Sequence, residues 1–85
     1  MQRQEVYDVV NKEREFQIEK WGVEKEHSVS GYLLIMKTEL DEAIAGWINN
    51  RSEPRQSSLE EILQVVATGI VCLETYGTKG NGNAS

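Results

Sequence analysis

One cysteine, one proline and one histidine in 85 residues set the first limits on this chain. A lone Cys72 can close no internal disulfide and supplies no zinc spacing. Flanked by Ile70, Val71 and Leu73, it reads as a buried thiol acting as a small hydrophobe. A lone His27 cannot make a zinc site, and its place beside Ser28 suits a loop or cap. With Pro54 the sole proline and no sustained apolar/polar alternation, a β-rich fold is excluded and an all-α chain is predicted.

Long apolar runs are missing too: none approaches the ~20 residues of a membrane span, and MQRQEVYDVV lacks the basic and apolar regions of a secretory signal. A cytoplasmic protein with no membrane partner is the expectation. Nine basic residues face 14 acidic ones, for a formal charge of −5, and no run of Lys and Arg exceeds a pair. Such a surface does not track nucleic-acid phosphates. No nucleophile–base pair, Walker loop or GxGxxG turn occurs, so metal-activated water is the one enzyme mechanism that the residues support.

Three helical segments account for most of the chain. The first is expected from about Gln2 to Lys20, with Val6, Val9, Val10 and Phe16 as a narrow apolar stripe and Gly22 as its stop. After the polar link VEKEHSVSG, Ser28 or Ser30 is a suitable N-cap for a second helix ending near Asn49. Leu33, Met36, Leu40, Ile44 and Trp47 would point it at a core. NNRSEPRQSS reads as a loop, and both Ser57-x-x-Glu60 and Ser58-x-x-Glu61 fit a capping box opening a third helix. From Ile62 to Leu73 that helix is apolar nearly all round, which calls for cover on several sides and argues for a second subunit. Residues 2–77 are thus read as one helical domain. GTKGNGNAS has a tail's composition, so 78–85 is read as a flexible C-terminal tail.

The chemistry-bearing pattern is a pair of pairs: Glu39 and Glu42 in TELDEAIAGW, Glu61 and Gln64 in LEEILQVVATGIVCL. Three-residue spacing puts each pair on one helix face, and two facing helices can converge such oxygens on Mg²⁺ or Mn²⁺. An isolated ExxE is usually a solvated surface pair. Gln64, an amide within an apolar helix, needs solvent, a polar partner or a site, and Thr68 continues its polar line. Trp21 and Trp47 are able to stack on a nucleobase, although packing is the commoner use of such residues. Lys20, Lys37, Arg51 and Arg55 are candidates for phosphate contacts.

On EREFQIEKWG, HSVSGYL, TELDEAIAGW and LEEILQVVATGIVCLE, in that order, the chain resembles the MazG-like all-α nucleoside triphosphate pyrophosphohydrolases, especially short phage and bacterial members. The likeness spans residues 2–77. The family's ExxE matches Glu39 and Glu42, and its ExxD matches Glu61 and Gln64, with glutamine in place of the aspartate. The resemblance implies a Mg²⁺-dependent cleavage that releases pyrophosphate, with Glu39, Glu42 and Glu61 as metal ligands or water activators and Gln64 at the fourth ligand position. It places Trp21, His27 or Trp47 near the base or sugar. It also implies a three-helix protomer in a homodimer or homotetramer, in the host cytoplasm if phage-encoded.

Gln64 can offer a metal its carbonyl but no charge, which lowers the expected Mg²⁺ affinity. No fourth helix is expected after Tyr76 to cover a pocket. A degenerate member that binds or sequesters a nucleotide or nucleotide signal without cutting it is therefore a rival expectation. A helical protein-interaction module without any site is the third.

Overall fold

The computed structural model describes residues 1–22 and 27–77, with the side chain of Trp21 outside that description. The predicted 78–85 tail and residues 23–26 of the link also lie outside it. Three α-helices follow in order: α1 (Arg3–Trp21), α2 (Val29–Asn49) and α3 (Pro54–Tyr76), with no strand among the described residues. The all-α expectation is met. No helix among the described residues is long and apolar enough to cross a membrane.

Local chemistry sets the helix ends. Glu5 reaches back to accept the Gln2 N–H at 2.9 Å, and α1 stops at Gly22, whose φ of 80° suits a residue without Cβ. Of the two serines considered for α2, Ser28 is the cap, its hydroxyl accepting from the Gly31 N–H at 3.0 Å. The start of α3 differs from expectation. Neither serine capping box forms, because the helix begins at Pro54, where a residue with no N–H leaves one fewer donor to satisfy. Asn50 organises the approach, its Oδ1 accepting from the N–H groups of Ser52 at 3.2 Å and Glu53 at 2.9 Å. Ser57 and Ser58 thereby become helix-interior residues.

Their new place is the α2–α3 contact. The Ser58 hydroxyl, buried, donates to the Ala43 carbonyl at 2.7 Å. Nearby, a Cβ on Gly46 would lie 2.5 Å from Ser57 Oγ, so the helices approach where α2 has no side chain. Further along, Thr68 bonds Glu39, Gly69 faces Met36, and Tyr76 meets Tyr32. Positions rising on α3 as they fall on α2 make the pair an antiparallel hairpin. At its open end the Tyr76 hydroxyl donates to the His27 carbonyl at 2.6 Å, and Tyr32 stands edge-on to the His27 and Tyr76 rings. Helix α1 packs on α3 rather than α2.

The core is small: among apolar residues, Val10, Tyr32, Ala43 and Ala67 are buried. The expected stripes are largely elsewhere. Of the α1 stripe only Val10 is buried, while Val6, Val9 and Phe16 are exposed. Of the α2 stripe Met36 is half-buried, and Leu33, Leu40, Ile44 and Trp47 are 49–59% exposed. The reason is geometric. Small and mid-sized groups (Ala43, Gly46, Ser58, Thr68) meet across the hairpin, so the bulky residues flank the contact.

They flank it on one side. Leu33 follows Tyr32 and Ile44 follows Ala43, each one position and about 100° past a contact residue. On α3, Leu59 follows Ser58 and Val66 follows Val65, in a row with Ile62 and Leu73 that is 43–51% exposed. In antiparallel helices, equal turns off the contact lead to the same side of the hairpin. Glu42 precedes Ala43 and Gln64 precedes Val65, so these polar residues turn the other way, towards α1.

Candidate functional site

On that other side, three helices bring polar groups together. Gln64 of α3 donates from Nε2 to Glu13 Oε2 of α1 at 2.9 Å, and its Oε1 accepts from Gln17 Nε2 at 3.3 Å. Gln17 in turn accepts from the Arg14 guanidinium at 3.4 Å, and Arg14 pairs with Glu74 at 2.9 Å. The result is a continuous chain from Glu13 to Glu74 in which each amide both donates and accepts. It satisfies Gln64 and the buried Gln17 inside the α1–α3 contact.

The carboxylates stand beside this chain. Glu39, half-buried on α2, accepts the Thr68 hydroxyl at 2.9 Å. Burial lifts its pKa above the usual carboxylate value, Thr68 opposes that by stabilising the charged form, and Glu42 and Glu13 add to the rise. Glu61 on α3 is also lifted, first by burial, then by the charge of Glu42 and a hydrogen bond with it, and then by Glu39 and Glu60. Glu13, Glu39, Glu42 and Glu61 therefore share one acidic region between the helices.

Of the residues named from the sequence, Glu39, Glu42, Glu61 and Gln64 are thus neighbours. The others stand apart. Trp47 is 59% exposed in the apolar row, some 140° around α2 from Glu42. His27 sits at the open end of the hairpin with Tyr32 and Tyr76. Lys20 lies with its ammonium 5.8 Å from the Phe16 ring centre. Lys37 is paired with Asp41 at 2.8 Å, and Arg51 and Arg55 are exposed near the α2–α3 turn. Sequence reasoning missed Glu13, Arg14 and Gln17. Their signal was available: polar residues three, four and seven positions after Val10 share its face, which marks that face as polar rather than apolar.

All donors in the acidic region are oxygens, which suits Mg²⁺ or Mn²⁺ chemically. Their placement does not make a ligand set: among the described residues, no group of three or more His, Cys, Asp or Glu is arranged to hold a metal ion. Glu39 is turned to Thr68, and Gln64 is engaged with Glu13 and Gln17. No chemical step is therefore assigned to a metal at these residues. No family model, curated protein or solved structure significantly matches the chain.

Proposed function

We propose that this chain is a MazG-like nucleotide-binding protein, working as a homo-oligomer, whose activity is Mg²⁺-dependent pyrophosphohydrolysis of a nucleoside triphosphate. The observation that carries the proposal is the crowding of Glu39, Glu42 and Glu61, with Glu13 added from α1, despite burial and, after it, mutual repulsion, which together lift the pKa of Glu39 and of Glu61. Like charges held together at a stability cost are a mark of functional sites. A polyphosphate is itself anionic, so it can approach this region only with a cation between them. Uptake of Mg²⁺ then requires the glutamate side chains to turn from their present partners.

A second reading, binding without cleavage, is favoured by Gln64. Its amide is engaged between Glu13 and Gln17 and brings no charge to the acidic region. One experiment separates the two: incubation with a panel of nucleoside triphosphates and cyclic nucleotides in Mg²⁺, in Mn²⁺ and in chelator, read by thermal shift and by product. Pyrophosphate release that stops on chelation supports the hydrolase. A thermal shift with the nucleotide returned intact supports the binder, and the absence of both rejects nucleotide recognition.

A further inference from the structure

Two carboxylates from different helices are held on successive turns of α3. Gln64 donates to Glu13 of α1 at 2.9 Å, and Thr68, one turn on, donates to Glu39 of α2 at 2.9 Å. Residues four apart on a helix lie roughly 5–6 Å from each other on one face, so α3 holds Glu13 and Glu39 as neighbours. Burial and, after it, the charges of Glu42 and Glu13 lift the Glu39 pKa, which puts Glu13 within electrostatic reach of Glu39. Of the glutamates in the acidic region, Glu13 alone belongs to α1.

Helix α1 is also the element with least to hold it. Among the described residues it packs on α3 and not on α2. Of its described side chains Val10 and Gln17 are buried, whereas Val6, Val9, Phe16 and Ile18 remain 36–52% exposed. Its ion pair with α3 joins Arg14 to an exposed carboxylate, that of Glu74, and such pairs add little. An element with few buried apolar contacts opens at a lower free energy than the rest of a fold. The α2–α3 hairpin, where Tyr32, Ala43, Ser58 and Thr68 are buried, is the firmer part.

We infer that α1 is a strap whose hold on α3 is set by the charge at Glu13 and Glu39: their repulsion slackens it, and a divalent cation taken up between them draws it tight. The trigger rests on the cation uptake proposed above, whereas the strap itself does not. Without a cation, docking α1 brings Glu13 towards a like charge, and the Gln64 amide offsets that repulsion with a hydrogen bond. A doubly positive ion reverses the sign, attracting Glu13 as it attracts Glu39. Linkage is reciprocal, so whatever the cation adds to α1 docking, docking adds to cation affinity. The acidic region then closes at α1 as it fills.

Amide hydrogen exchange of the full chain, read for α1 (Arg3–Trp21) relative to α3 (Pro54–Tyr76), tests this. The ratio separates the strap from a change in overall stability, which moves both helices together. Glu39→Gln keeps an oxygen for Thr68 and removes the charge. It is expected to slow exchange in α1 relative to α3 by roughly two- to fivefold, the lower end of couplings between neighbouring groups. Glu13→Gln, which keeps an acceptor for Gln64, should slow α1 at least as much. The double variant should gain no more than Glu13→Gln alone, because one charge removed already ends the repulsion. Millimolar Mg²⁺, against Na⁺ at equal ionic strength, is expected to slow α1 in the unaltered chain and not in the double variant.

Unchanged α1 exchange in both single variants overturns the strap, and so do gains that add in the double variant, the mark of independent sites. A Mg²⁺ effect that survives in the double variant overturns the part given to Glu13 and Glu39. Variants that slow α1 in a chain indifferent to Mg²⁺ support the strap and overturn the divalent cation as its trigger. Where a variant fails to fold, the Mg²⁺ response of the unaltered chain decides. Pyrophosphate release, measured separately, answers for the hydrolase reading.

Discussion

Gln64 Nε2 donates to Glu13 Oε2 at 2.9 Å, joining the middle of α3 to the middle of α1. An aspartate at that position could neither donate this bond when ionised nor sit beside Glu13 without repulsion. The glutamine that departs from the resembled motif is therefore one residue on which α1 docks, through Glu13 on one side and Gln17 on the other.

Replacing Gln64 by Asp is expected to destabilise the metal-free protein at neutral pH by about 1–2 kcal/mol, the scale of a lost part-buried hydrogen bond. If the acidic region takes up a divalent cation, millimolar Mg²⁺ should return part of that loss, since a ligand bound only by the folded state adds stability. Urea unfolding with and without Mg²⁺ measures both effects. A variant as stable as wild type would show that the bond to Glu13 contributes nothing.

Glu61 carries a raised pKa, so its charged form weakens the fold. The sign follows. Below the unfolded carboxylate pKa the group is protonated in both states and its full stabilising contribution is present; that contribution is lost as pH rises through the higher folded value. Glu61→Gln mimics the protonated form. At pH 7 it should be the more stable protein by a few tenths of a kcal/mol, as expected for relieved like-charge pairs, and the gap should close as pH falls below about 4.5. Thermal unfolding of both proteins across that range is the measurement, and a gap constant with pH would remove Glu61 from the cluster.

Gly46 and Ser57 form a steric pair across the hairpin. Alanine in a helix interior is worth about 1 kcal/mol over glycine, yet a Cβ on Gly46 would meet Ser57 Oγ at 2.5 Å and its Cβ at 3.3 Å. Gly46→Ala alone is expected to gain less than that propensity difference or to lose stability. In a Ser57→Ala background the clash with the hydroxyl is gone, so the same change should be more favourable by about 1 kcal/mol, a coupling of the size seen for contacting residues. Denaturant unfolding of the four proteins in the cycle gives the number.

Glu42 is exposed and lies beside Glu61. If the proposed hydrolysis is the activity, Glu42→Gln should abolish pyrophosphate release while shifting stability by no more than about 0.5 kcal/mol, the usual range for surface changes. Full turnover by the variant would move the site elsewhere.

The sequence by itself determined the three helices and most of their ends, because these depend on neighbours in the chain: Ser28 capping α2 and Gly22 stopping α1 are local chemistry. It also put Glu39 with Glu42, and Glu61 with Gln64, since three residues on a helix return to one face. Only the tertiary structure decided what those faces meet. The α2 stripe from Leu33 to Trp47 has the period of a core-facing row, but the hairpin closes on Ala43, Gly46 and Ser58, and the bulky row is left to its side. The polar face of α1, with Glu13, Arg14 and Gln17, gains its meaning only from Gln64 and Glu74, some 50 to 60 residues away. Periodicity tells which residues share a side; which side is buried depends on how closely two backbones approach, and small residues at the crossing set that distance.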